Sequence, residues 1–398
     1  MQQIDFSQGS IRRRILAVAT PMLIAQLLNL LYNIVDRIYI GKIPGEGTLA
    51  LASIGLCFPF VTLITAFANL FGLGGAPLCA MARGKGNREG AQGIMVNAGF
   101  MLLLSGAVLT VLGIAFHRPL LYLFGASEVT YPYASSYIVI YLIGTLCVML
   151  SLGLNPYINC QGFARTGMLT VALGAAANIV LDPIFIFALH LGVRGAAIAT
   201  VLSQFLSAAW VVKFLTSKKA ELKLDFRGFR PDCQCIQRIT VLGIASFVMS
   251  FTDTLVQVAC NATLRNFGGD LYISVMTVLN SVRQIAQTPV LAIADGASTA
   301  ISYNYGAGLY KRTRDAIRFM TQIAIGYTML VWMLVSLFPA LFIRIFNQDA
   351  ELVAAAVPAL HIYFFGFVMM AFQYAGQSTF RALGRAKYAV FFSLLRKA

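Results

Sequence analysis

Charge is what this sequence has least of. Only 11% of its 398 residues are charged, 15 of them acidic, while 59% are hydrophobic. Soluble domains carry roughly 25% charged residues, and so thin a supply could not cover a fold in water. The chain is therefore read as an integral membrane protein. Histidine is nearly missing as well. His117, His190 and His361 are scattered and form no ligand-spaced set. The seven cysteines are dispersed, and the close pair Cys233 and Cys235 has no further ligand beside it in a basic loop. With no nucleophile–base pair and no metal motif, the chain is not expected to be an enzyme or to hold a resident metal or cofactor.

What is present is a succession of apolar runs, each long enough to cross ~30 Å of hydrocarbon as a helix. They fall near 15–40, 50–80, 92–116, 129–158, 166–190 and 195–213, then near 239–263, 271–300, 319–343 and 352–380, and another begins at about Lys387. The alternating segments of ~10 residues that a membrane barrel needs are absent. The first run is too long for a signal peptide and lacks an evident cleavage site, so it counts as span one. An all-α membrane fold is expected.

The net charge of +15 is unevenly placed. Arg12–Arg14, Arg83–Arg88, Arg165, Lys213–Arg238, Lys311–Arg318 and Arg381–Lys387 all fall on one side if the spans alternate. Positive residues mark the cytoplasmic side. The N-terminus is thus expected inside, and the basic excess reports topology, with no nucleic-acid partner.

The chain also repeats itself. Gly84 and Gly86 recur as Gly306 and Gly308, Phe124 as Phe346, and Gly162 as Gly384, always 222 residues later. Six spans per unit is an even number, which makes a parallel repeat around a central cavity. The expected organisation is a six-helix lobe over 1–216, a basic linker over 217–238 and a second lobe over 239–398. A full twin of the first lobe would end near residue 438, so the second bundle reads as truncated, with about four and a half helices. The repeated glycines are expected to serve tight turns.

Several polar residues are out of place in lipid. Gln26, Asn29, Asn33 and Asp36 share one face of span one. Asn178 and Asp182, four apart in span five, share another, and Thr200 enters span six at a similar depth. Buried acids cost at least ~2.5–3.5 kcal/mol at a bilayer centre. Two of them close together cannot both ionise cheaply, so such a pair suits uptake of a proton. Asp36, Asn178, Asp182 and Thr200 are accordingly the candidate ion-coupling set. Helix–helix hydrogen bonding is the alternative use for the amides. In the second lobe Asp253 and Arg283 lie mid-span; they either pair with each other or one of them lines the transport path. Asp295 sits near the cytoplasmic end of its span, where a solvated carboxylate is unremarkable.

"YNIVDRIYIG" (Tyr32–Gly41), "ANIVLDPIFIF" (Ala177–Phe187), "RGAAIATVLSQ" (Arg194–Gln204) and "ISYNYGAGLYKR" (Ile301–Arg312) resemble the multidrug and toxic compound extrusion (MATE) transporters, in the bacterial branch typified by the DNA-damage-inducible F protein. The resemblance runs along essentially the whole chain. It implies two bundles of six helices forming a V in the inner membrane of a bacterium. It also implies export of organic cations driven by entry of H+ or Na+, with no other cofactor, by a monomer. It matches the family's coupling acid to Asp36, its Asn–x–x–x–Asp to Asn178 and Asp182, and its threonine to Thr200, with Na+ at the same four residues as the alternative to a proton. A family asparagine of the fourth helix falls at Asn155 in one register. Asp295 departs from the family, which has glutamine there. The 398-residue chain alone is expected to export poorly, and the natural product to reach about 440 residues or more. A flippase for lipid-linked saccharides shares the superfamily architecture and is the competing reading.

Overall fold

The computed structural model describes the backbone of residues 3–44, 46–346 and 349–395, with the side chains of Thr48, most of 251–274 and 392–395 left aside. Helices carry nearly all of it. Along the chain they are α1 (Ile11–Gly41), α2 (Gly47–Gly84), α3 (Arg88–Leu123), α4 (Tyr131–Ile143), α5 (Thr145–Cys160), α6 (Ala164–Pro183) and α7 (Gly192–Thr216). Then follow α8 (Cys233–Gly306), α9 (Tyr310–Leu337), α10 (Pro339–Arg344), α11 (Ala350–Phe364), α12 (Met369–Ala382) and α13 (Ala386–Leu395). Seven helices among the described residues are long and apolar enough to cross a membrane, nine if each bent pair counts as one span.

Two of the expected spans are broken in the same way. α4 and α5 meet at 55°, and α11 and α12 at 47°. The first bend is at Gly144, where a Cβ would run into Val201 of α7. Spans seven and eight depart from expectation differently: helical backbone continues through the loop expected at 264–270, giving one 74-residue element. That element still runs out and back. Ile239 packs on Gly74 and Tyr303 on Gly84, so both ends of α8 lie beside the same end of α2. A straight helix would hold them ~96 Å apart.

That shared end carries basic clusters, and α2 is sealed against α8 there. A Cβ on Gly84 would strike the Tyr303 carbonyl, one on Gly306 the Met81 carbonyl, and one on Gly243 the Leu70 carbonyl. Gly84 and Gly306 are therefore close-approach glycines. The turn role expected of them belongs to Gly86 and Gly308, with φ of +74° and +73°. Arg83 lies over the Tyr303 ring at 5.6 Å and also bonds Glu221 and the Cys160 carbonyl. The stretch between α7 and α8 is sewn to earlier parts of the chain, since Leu222 N–H donates to Gln161 Oε1 (2.9 Å) and Asp232 N–H to Asn97 Oδ1 (2.9 Å).

The segment before α1 straps distant parts of the chain together. Ile4 N–H donates to the Gly162 carbonyl (3.0 Å) after α5. Arg312 of α9 donates to the carbonyls of Phe6 (3.0 Å) and Gly9 (2.9 Å). Between these ties Phe6, 1% exposed, fills a cluster with Ile15, Ala164 and Ile301. Truncating a buried Phe typically costs ~3–5 kcal/mol. Phe6→Ala should therefore lower the thermal midpoint and speed proteolysis of this segment; an unchanged cleavage rate would show that the strap is held by its hydrogen bonds alone.

Candidate functional site

Asp182 owes its position to the residue after it. Pro183 has no N–H to give to the turn before it, and the helix widens at once into a π segment, Ile184–Ala188. Such π segments are frequent at functional sites. Asp36 lies five residues from the end of α1 and Asp182 six from the end of the π segment, so the two are at similar distances from their helix ends. The two carboxylates are direct neighbours.

Around this pair the donors are few. Asn178 Nδ2 donates to Asp182 Oδ1 at 3.2 Å, and the rings of Tyr32 and Tyr137 stand close to Asp36. Asp182 is wholly buried and Asn178 2% exposed. Three buried oxygens, Asp36 Oδ1, Asp182 Oδ2 and Asn178 Oδ1, have no hydrogen-bond partner among the described residues. Unpaired buried acceptors are costly, and a proton or a small cation is what would satisfy them. No cluster of three His, Cys, Asp or Glu suited to a structural metal occurs among the described residues.

A cavity of about 500 Å³ adjoins the pair, between α1, α2, α5, α6 and α7 on one side and α8 and α12 on the other. Asn178 and Thr200 line it, so the coupling candidates split into a buried carboxylate pair and two residues at the cavity wall. Gln26, Asn29 and Asn155 also line it, and Asn155 Oδ1 is buried without a partner among the described residues. Asn33 does not. It is exposed and turns its amide back onto the Asn29 carbonyl at 2.6 Å, a bond within its own helix. Arg283 is likewise outside the cavity, with Nη2 3.5 Å from Asn280 Oδ1 and its guanidinium 5.9 Å from the Tyr363 ring centre. The Asp253 side chain lies outside the described residues, and so does the expected Asp253–Arg283 pairing.

Asp295 reverses its expectation most fully. It faces the cavity and binds Arg381, Nη2 to Oδ1 2.7 Å, while Arg381 Nη1 donates to Ser246 Oγ at 3.1 Å. Arg381, read from sequence as one of the residues marking a loop, is 8% exposed inside the wall. Arg381 directly follows the apolar run expected over 352–380, and α12 carries on past it to Ala382, which is what separates it from its loop neighbours.

The family model for MatE matches residues 21–184 and 245–396. The chain belongs to the MatE family. MatE proteins are transporters, not enzymes, and they are typically ion-coupled. The chain is similar to the multidrug export protein MepA of Staphylococcus haemolyticus, 25% identical over 362 residues, covering 91% of this chain and 79% of that one. It is 21% identical to MepA of Staphylococcus aureus strain MSSA476, over 99% of this chain and 86% of the other. Among solved structures, an outward-facing multidrug resistance MATE family transporter of the MOP superfamily superposes with a TM-score of 0.92 at 24% identity, covering 100% of this chain and 88% of that one. A MOP superfamily transporter from Pyrococcus furiosus gives the same score, identity and coverage. These likenesses establish a multi-pass helical membrane protein with the MATE fold.

Proposed function

We propose that this MatE protein is a secondary-active multidrug exporter that drives organic cations out of the cell by alternating access, in exchange for H+ or Na+. The observation that carries this is the trio of unpartnered acceptor oxygens on Asp36, Asp182 and Asn178, set beside a cavity whose basic end is sealed. With the basic end cytoplasmic and the N-terminus inside, the cavity faces outward. An incoming ion neutralises the carboxylates, which removes the penalty for closing them away from water. α1 can then repack about Pro21, which lacks the N–H that a helix interior needs. The drug site collapses, its cargo leaves, and the lobes rock to release the ion inward. Driving ion and drug need not touch.

Two glycine contacts support a parallel repeat at an offset of 222 residues. Gly84 meets Tyr303 while Gly306 meets Met81, so each contact is the image of the other under that shift. The division into lobes over 1–216 and 239–398, joined by a linker over 217–238, follows from it. The placement in the branch of the DNA-damage-inducible F protein rests on the quoted motifs, since the relatives above carry another name. A monomer in a bacterial inner membrane completes the proposal. The flippase reading loses ground because Arg381, the one basic residue of the described lining, is already paired with Asp295, whereas a pyrophosphate would need several free cations.

The test is efflux of an organic cation from proteoliposomes under an imposed pH or sodium gradient. Export driven by one gradient alone identifies the ion. Equal leakage with and without either gradient would overturn the proposal.

A further inference from the structure

Asp295 and Arg381 are the charged residues of the described cavity lining, and everything else polar there is an amide, a hydroxyl or a phenol. Their bond is made through a single pair of atoms, Arg381 Nη2 and Asp295 Oδ1. Arg381 Nε is buried without a partner among the described residues, and the Asp295 side chain keeps 23% of its surface open. Both charges therefore retain unused capacity at the cavity.

The fold does not require them. Under the shift of 222 residues, Asp295 corresponds to Leu73 and Arg381 to Asn159, and both of these also line the cavity. The first lobe closes the same wall with no charge at all. An ion pair added on one side only, where a hydrocarbon and an amide suffice on the other, has a use beyond packing. Buried pairs are in general poor sources of stability.

Electrostatics then selects the ligand. A monocation drawn to Asp295 must share one carboxylate with a guanidinium, and an anion drawn to Arg381 must share one guanidinium with a carboxylate. A molecule carrying both charges meets both groups and strands neither. We propose that Asp295 and Arg381 form a charge-reading subsite that takes amphoteric substrates, with the ligand's cationic group against Asp295 and its anionic group against Arg381. This rests on the export reading and refines its substrate class.

Rhodamine B, a zwitterion at neutral pH, and its ethyl ester, a monocation on the same ring system, make a matched pair of probes. Binding to the purified protein in detergent, followed by fluorescence polarisation, needs no ion gradient and so is independent of the coupling site. The wild type should bind the zwitterion more tightly than the ester. Arg381→Gln should reverse that preference, shifting the affinity ratio by about tenfold or more, the scale of one close charge pair. Asp295→Asn should weaken the ester most, since it leaves an unopposed guanidinium. The double variant Asp295→Asn/Arg381→Gln strands no charge, and it should bind both dyes with a ratio near one. An unchanged ratio in Arg381→Gln or in the double variant overturns the subsite while leaving the export reading intact. Failure of the wild type to bind either dye overturns both.

Discussion

Asp36→Asn should reduce gradient-driven export to background while the protein still inserts and still binds rhodamine dyes. The substitution fixes α1 in its neutral form, so an ion arriving from outside no longer changes the cost of closing the site. Coupling between two sites typically amounts to ~1–3 kcal/mol, or roughly 5–150-fold in mutual affinity, and this variant should lose all of it. Asp182→Asn should do the same, because its carboxylate is the direct neighbour. Asn178→Ala should weaken coupling without ending it, since it removes one donor to Asp182 and leaves both acids in place. The measurement is counterflow and gradient-driven uptake in proteoliposomes, with insertion checked for each variant. If Asp36→Asn pumps at the wild-type rate, the coupling site is elsewhere and Asp36 serves helix packing.

The second large effect is expected at the sealed end. Gly306→Val places a branched side chain against the Met81 carbonyl, and Gly84→Val does so against Tyr303. Backbone cannot yield as a flexible side chain can, and overpacking of this kind costs ~1–3 kcal/mol or more. The cost falls only on the state in which the basic ends touch, so the equilibrium should move toward the opposite state by roughly 5–150-fold. Spin labels at Lys85→Cys, in the turn after α2, and Lys311→Cys, in the first turn of α9, both exposed, should report a longer distance in either variant, with export lost. Gly86→Ala is the control. It has φ of +74° and open space around it, so it should bring local strain of ~1–2 kcal/mol without opening the seam. A label distance unchanged by Gly306→Val would mean that the seam can shift to absorb the methyl groups.

The sequence by itself determined the solvent, the class of fold and the residues most costly to bury. Eleven per cent charge and a train of apolar runs leave no soluble alternative. Helical spacing alone puts Gln26 and Asn29 on one face and Asn178 and Asp182 on another, because the 3.6-residue period is local. The tertiary structure decided what those faces meet. It brought the Asp36 and Asp182 carboxylates side by side, and it turned Asn33 onto the backbone of its own helix. It also gave Gly84 and Gly306 a contact role that their loop positions did not suggest. Above all it joined Asp295 to Arg381 across 86 residues of chain. Read from the sequence, both sit near the ends of their expected spans, where a charge with water in reach needs no partner. Whether such a charge faces solvent or a cavity depends on how helices pack around it, and periodicity within one helix carries no information about that.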